Sequence, residues 1–350
     1  MKSLPSSSVV LVAALAVGGA LAGCRTDNGA GDDTPDGGST VDAPDGTGCT
    51  ALTPRSQALE SFVGPTGLQA RMGALIDSAK TSLDIQMYLW TVKELANKVV
   101  AAKQRGVTVR VILDPDELGN NNVEPIFTSG GVDWKNATTL YTYSHAKYII
   151  VDKQQAAIMS MNFNVDAMLN ERNYGVIDKD PEDVADMQRI FEYDWKMANG
   201  ATGLDPADLT CTRLIVSPTN SKQRILEHIK SATTTLDVEV MYISEASVRT
   251  AITDAKTRGV NVRVIIEDPM DASVPVFKAA GIPVKQPPSS IYLHSKLITA
   301  DQVAFVGSEN MSFTSLAKNR EVGVLVFEPA AFAPIKTQFD SDWNVSTTIP

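Results

Sequence analysis

A chain of 350 residues, 43% hydrophobic and 21% charged, has the length to bury a large core and an ordinary globular composition. That excludes wholesale disorder and a multi-span membrane protein. The formal charge of −10 is uneven, with −4 in residues 1–50 and −6 in the remainder; without a basic excess, DNA or RNA is disfavoured as the main partner unless a local basic groove exists.

The first residues read as a targeting segment. Lys2 is a thin positive start, and Val9 to Ala22 is an apolar run short of the about 20 residues a membrane span needs. Leu21-Ala22-Gly23-Cys24 resembles the lipobox of bacterial lipoproteins. The resemblance implies a signal peptide at 1–23, cleavage before Cys24 and a lipid anchor on its thiol. Export to the cell envelope follows, at the outer membrane or periplasmic face in a Gram-negative host. A plain secretory signal cleaved at a nearby small residue is the alternative. Residues 24–52, rich in Gly, Asp, Thr and Pro, cannot bury enough apolar surface to offset ordering and form a flexible acidic tether. Cys49 and Cys211 are an even pair in an oxidising compartment. They either form a disulfide or remain two partly buried thiols.

The rest is written twice. Val63-Gly64-Pro65-Thr66 recurs as Val216-Ser217-Pro218-Thr219, and Arg105-Gly106-Val107 as Arg258-Gly259-Val260, both 153 positions on. His145 and His294 stand 149 apart, and Phe191-Glu192-Tyr193-Asp194-Trp195 answers Phe339-Asp340-Ser341-Asp342-Trp343 at 148. An offset constant within elements and changing only between them marks one unit used twice, with lobes at 53–210 and 211–350.

In chain order, Leu68 to Lys80 carries a helical apolar stripe, Leu83 to Trp90 alternates as a strand, and Val92 to Gln104 is a second helix ended by Gly106. Val107 to Leu113 is a β-branched strand stopped by Asp114-Pro115. A loop-rich segment runs to Tyr143. Lys147 to Val151, Ala156 to Met161 and Tyr174 to Ile177 read as strands, and Glu182 to Met197 as a closing amphipathic helix. The second unit repeats this from Lys222 to Trp343. The expectation is an α/β, two-lobed, pseudo-symmetric duplication, each lobe a mixed β-sheet covered by helices on both faces.

Each lobe contains H-x-K-x-x-x-x-D leading to Ser-x-Asn: His145, Lys147, Asp152, Ser160 and Asn162, then His294, Lys296, Asp301, Ser308 and Asn310. A histidine and a lysine two apart on a strand share a face, about 6–7 Å apart. Imidazole serves as nucleophile or proton carrier, and lysine and amide groups suit phosphate oxygens. Two such sets facing each other make a site for an anionic tetrahedral group. No H-E-x-x-H, cysteine cluster or paired-carboxylate cage is present, so neither a metal nor another cofactor is indicated.

The doubled motif, with Gly307-Ser308-Glu309-Asn310 complete and Met159 in place of the first glycine, resembles the signature of the phospholipase D superfamily over about 290 residues. The resemblance implies metal-independent phosphodiester cleavage through a phosphohistidine, one histidine attacking and the other protonating the leaving alcohol. Lys147, Lys296, Asn162 and Asn310 would hold the non-bridging oxygens. It also implies an acidic residue behind each histidine. Glu321 is placed for His294, and Asn173 occupies the equivalent position for His145, with Glu171 as the alternative. A carboxylate favours imidazolium, so this reading makes His145 the nucleophile and His294 the acid.

Asp152 and Asp301 read as structural residues at strand ends, His228 as an ordinary helix residue, and the Phe-x-x-Asp-Trp pairs as helix-to-sheet packing. Trp134, Tyr141, Tyr143 and Tyr292 either line the substrate entrance or cap the core. The expected substrate is a phospholipid, cleaved or transferred by a monomer held at the membrane through its N-terminal anchor. The alternatives are an exported nuclease of the same superfamily and a non-catalytic binding lipoprotein.

Overall fold

The computed structural model describes residues 59–209 and 211–350. The first lobe runs β1 (Glu60–Val63), α1 (Leu68–Asp77), β2 (Ser82–Met87), α2 (Lys93–Gln104), β3 (Thr108–Leu113), α3 (Glu124–Ser129), β4 (Asp133–Asn136), β5 (Lys147–Val151), β6 (Gln155–Met159), α4 (Val165–Leu169), β7 (Glu171–Arg172), β8 (Tyr174–Asp178) and α5 (Pro181–Ala198). The second runs β9 (Leu214–Ser217), α6 (Ser221–Ser231), β10 (Thr235–Val240), α7 (Ala246–Thr257), β11 (Asn261–Ile266), α8 (Ser273–Ala279), β12 (Val284–Gln286), β13 (Tyr292–Leu293), β14 (Lys296–Ala300), β15 (Val303–Gly307), α9 (Phe313–Ala317), β16 (Glu321–Val326), α10 (Pro329–Val345) and β17 (Thr347–Thr348).

The first sheet has the order β1-β8-β6-β5-β2-β3-β4, and the second repeats it as β9-β16-β15-β14-β10-β11-β12, with β17 added at the edge. In each, three strands joined through helices are parallel (β2-β3-β4 and β10-β11-β12), and the remainder pair antiparallel. The loop-rich stretch before Tyr143 thus contains α3, β4 and a short 3-10 turn over Leu118–Asn122. Too short to show a period, these pieces are fixed by tertiary contacts: Phe127 is fully buried in the outer core, and Asn120 donates to the Tyr88 carbonyl while accepting from Trp90 N at 2.8 Å.

Period-2 alternation separates the cores. Leu83, Ile85 and Met87 of β2 face outward with α1 and α2, and Val262, Val264 and Ile266 of β11 do the same in the second lobe. The inner faces meet each other. Tyr148, Ile150, Ile158, Val176, Leu297, Val306, Val322 and Val324 form one central core with Phe191 of α5 and Phe339 of α10. The lobes therefore share a core and fold as one body. The Phe-x-x-Asp-Trp pairs do pack as expected, Phe191 on Trp195 and Phe339 on Trp343 at 5.9 and 6.3 Å between centroids. Arg110 and Arg263 lie over these rings and close bidentate ion pairs with Asp84 and Asp237, so even the electrostatics of the repeat are duplicated.

Across the interface, buried Arg172 pairs with Asp342 and buried Arg320 with Asp194, each at 2.7 Å. The aspartates of the two Phe-x-x-Asp-Trp motifs are thus cross-lobe clamps as well as neighbours of packing residues. Cys211 is disulfide-bonded. Cys24, Cys49, the signal peptide and the tether lie outside the described residues.

Candidate active site

His145 and His294 each stand two residues before their strands, β5 and β14, so each sits where the chain enters its sheet. Residue for residue, β5 and β14 run antiparallel to β2 and β10, with Lys147 opposite Met87 and Lys296 opposite Val240. This places both histidines at the C-terminal ends of the parallel strands, the edge where loops cluster in such sheets.

Two cross-lobe strand contacts bring the halves together. Ser144 bridges Arg320, and Arg320 N donates to the Tyr143 carbonyl at 2.8 Å. On the other side β13 pairs with β7, and His294 N donates to the Arg172 carbonyl at 3.1 Å. The approach to each histidine is thereby pinned beside the orienting strand of the opposite lobe.

The orienting groups are consequently crossed. His145 Nδ1 lies 2.9 and 2.8 Å from the two Glu321 oxygens, whereas His294 Nδ1 lies 3.0 Å from Asn173 Oδ1. The expectation that Glu321 backs His294 and Asn173 backs His145 is corrected: each serves the histidine of the other lobe. Offsets within a repeat cannot register a contact between repeats, which is why sequence spacing paired them wrongly. With an acceptor at each Nδ1, the ring proton is assigned there and Nε2 is left for chemistry.

The two environments differ. Burial alone would push Glu321 up, but His145, Lys147 and Ser308 outweigh it and hold the carboxyl below its usual value. Ser315 Oγ and Asn319 Nδ2 also donate to Glu321, at 2.7 and 3.0 Å. In the other half, Asn173 Oδ1 accepts from Ser160 Oγ at 2.8 Å, and Asn173 Nδ2 donates to Glu171 at 3.1 Å. Glu171 reaches within 3.6 Å of His294 Nδ1, but burial pushes its carboxyl up. His294 itself is lowered well below the ordinary histidine value, by burial first and then by Lys296, Lys147 and His145. An ionised carboxylate sits against His145, and a neutral amide sits against a neutral His294.

Lys147 and Lys296, both buried, turn their Nζ atoms onto the carbonyls of His145 and His294 at 2.6 and 2.7 Å. Tyr88 walls His145 at 4.6 Å between centroids and lies 4.9 Å from Lys147 Nζ; Tyr292 stacks on His294 at 6.5 Å. Tyr143 meets Tyr88 edge-on, and Tyr141 hydrogen-bonds Arg320. Tyr141, Tyr143 and Tyr292 therefore border the site together with Tyr88, while Trp134 packs against the outer core of the first lobe. Asn162 is buried with an amide oxygen that has no hydrogen-bond partner, and Asn310 is buried at the corresponding place.

Asp152 and Asp301 lie away from this centre. Each accepts from three successive backbone amides, Lys80 to Ser82 and Thr233 to Thr235, closing the far end of its lobe. His228 is fully enclosed in α6, with Nε2 3.1 Å from the Ile298 carbonyl, and burial lowers it to about 4.

Sequence reasoning passed over Tyr88, Ser315, Asn319 and the clamp arginines. The signal for the last was present: Arg172 and Arg320 stand at the 148 offset, flanked by Glu171 and Asn173 in one lobe and by Asn319 and Glu321 in the other. The missing first glycine also finds its reason. A Cβ at Gly307 would collide with the buried Glu309 carboxyl and with the Cα of Gly323 on the neighbouring strand; in the first lobe Met159 and Met161 stand at the places of Gly307 and Glu309 and join the outer core. Burial pushes Glu309 well above the usual carboxylate range, and Glu321 adds to the effect.

Residues 72–195 and 225–343 match the family described as "Cardiolipin synthase, PLD-like domain". A mitochondrial cardiolipin hydrolase of Mus musculus is 29% identical over 154 residues, 44% of this chain and 65% of that protein. A probable phospholipase D of Caenorhabditis elegans is 22% identical over 359 residues, 77% of this chain and 65% of that protein. The chain spans less than two thirds of the length of these curated relatives. Among solved structures, phosphatidylserine synthase of Haemophilus influenzae superposes with a TM-score of 0.67 at 12% identity, over 85% of this chain and 88% of the other, a likeness of fold. With the family matched in both lobes, around the two histidines that the fold brings together, this chain belongs to the phospholipase D-like family of the cardiolipin synthase type.

Proposed function

We propose that this protein is a phosphodiesterase acting on phospholipids, by hydrolysis or phosphatidyl transfer, through a phosphohistidine and without a metal. The observation that supports it most is the crossed pair of imidazoles, of which only one has an ionised carboxylate at Nδ1.

That asymmetry reverses the roles inferred from spacing. A site with two imidazoles and one transferable proton keeps the proton on the more basic ring, and the ionised Glu321 makes that ring His145. His294, neutral at neutral pH, is the nucleophile. In the first step a His294 nitrogen forms a bond to phosphorus, the bond to the leaving alcohol breaks, and His145 gives that oxygen its proton. In the second, water or an acceptor alcohol bonds to phosphorus, the N–P bond breaks, and His145 takes the incoming proton. Lys147 and Lys296 offset the charge on the non-bridging oxygens, with the Asn162 and Asn310 amides as further donors.

Anchoring at the cell envelope through Cys24 would hold the enzyme beside its substrate, and the shared core supports a complete site in one monomer. The test gives the purified full chain mixed phospholipids with a primary alcohol and, separately, plasmid DNA, with chelator in both. Phosphatidate or phosphatidyl-alcohol is expected, abolished by His145→Ala and by His294→Ala. Nicking of the plasmid without phospholipid turnover would instead make this a nuclease.

A further inference from the structure

Nine large hydrophobic side chains are exposed among the described residues, and seven stand on segments that enter or leave the candidate site. Leu118 and Met270, 76% and 85% exposed, follow the C-terminal ends of β3 and β11, the edge where the histidines sit. The Leu118 turn is tied to the Tyr88 carbonyl through Asn120, and the Met270 loop to Leu293 N through Glu267 at 2.7 Å. Val165 and Phe313 open the short helices that follow Asn162 and Asn310 and are equivalent positions of the repeat. Leu169 ends the first of these helices, beside Asn170, whose carbonyl accepts from Tyr292 N at 3.1 Å. Leu140 lies in the approach to His145, where Thr142 N donates to the Lys318 carbonyl at 3.0 Å, and Lys318 Nζ lies 5.0 Å from the Phe313 ring. The other two, Val276 and Val345, are on α8 and at the end of α10.

We infer that this ring of apolar tips is the surface on which the protein docks onto a phospholipid bilayer, its loops inserting around the mouth of the site. This rests on the phospholipid reading above. The tips stand on separate segments from both lobes at the edge where the histidines sit, instead of on one element that would offer a flat patch to a folded partner. Phe313, with Lys318 and Lys222 over its ring, has the aromatic-and-cation pattern suited to the boundary between head groups and acyl chains. Exposed Asp116, Asp166 and Asp268 share the rim and would repel a nucleic-acid backbone. A zwitterionic bilayer meets no such barrier.

The test uses the full chain in every arm, so that its N-terminal residues contribute equally. Leu140→Trp and Met270→Trp place reporters on the ring, and Gln154→Trp places one in the β5–β6 turn at the opposite end of the sheet. With phosphatidylcholine vesicles brominated on the acyl chains, emission from the ring reporters, taken over that of the unsubstituted chain, is expected to fall by about a third or more, and that of Gln154→Trp to stay constant. Equal quenching of all three, or of none, overturns the proposal. Separately, the triple variant Leu140→Ser, Met270→Ser, Phe313→Ser is expected to cleave long-chain phospholipid in vesicles at least tenfold more slowly, while its rate on a monomeric short-chain phospholipid is unchanged. Equal loss on both substrates, an undiminished vesicle rate, or conversion of a dimer to a monomer by the variant would each overturn it. If the unsubstituted chain cleaves neither phospholipid, the phospholipid reading fails; if it cleaves the monomeric one and the ring variants behave as wild type on vesicles, only the docking surface fails.

Discussion

The two halves of the site spell the same three letters in opposite order. The first lobe has Glu171-Arg172-Asn173 and the second Asn319-Arg320-Glu321. In both, the arginine reaches across to an aspartate of the other lobe, and its C-terminal neighbour holds the other lobe's histidine. Only in the second lobe is that neighbour a carboxylate. In the first, the carboxylate stands two residues back, at 3.6 Å from His294, and accepts from the Asn173 amide. Fold symmetry is thus preserved while electrostatic symmetry is broken, and two geometrically equivalent imidazoles are suited to different tasks.

The largest effects should come from removing either imidazole. His145→Ala and His294→Ala are each expected to lower kcat by about 10³-fold or more, since acid–base catalysis alone supplies roughly 10²–10⁴. Next comes the carboxylate. Glu321→Gln keeps the contact but removes the charge that holds the proton on His145, so the alkaline limb of the rate profile should move to lower pH, with kcat down by about 10². Asn173→Asp removes the same difference from the other side. A carboxylate beside His294 favours its protonated form, which cannot attack, so the acid limb should move up by about one pH unit. An unshifted limb in either variant would show that the asymmetry is not used.

The clamps test structure instead of chemistry. Asp194→Asn leaves buried Arg320 without its carboxylate and should cost about 3–5 kcal/mol in urea unfolding, with Asp342→Asn similar through Arg172. The smallest effect belongs to His228. Its folded value near 4 lies below the unfolded 6.5, so between those values the unfolded chain binds the extra proton and stability falls as pH falls. The slope contributed is at most about 1.4 kcal/mol per pH unit, and His228→Gln should remove it.

Much of this was legible in the residues. The 153, 149 and 148 offsets disclosed the duplication, and alternation in β2 marked it as a strand. The doubled H-x-K-x-x-x-x-D placed His145 and His294 before their strands, and the strand-end roles of Asp152 and Asp301 followed from turn chemistry. What spacing could not carry was anything spanning the two lobes. Glu321 lies 176 positions from His145, and a repeat offset relates equivalent places, not touching ones. The short pieces between Leu118 and Asn136 escaped for a related reason, being held by Tyr88, Trp90 and the outer core more than by their own pattern.

In the proposed mechanism the crossed orienters set which imidazole attacks. The most direct measurement is an acid quench during turnover of a phosphorus-labelled phospholipid, followed by peptide mapping of the labelled histidine. Label is expected on His294, rising when breakdown of the intermediate is slowed. Label on His145 would instead make His294 the acid and leave the asymmetry of the orienters without this role.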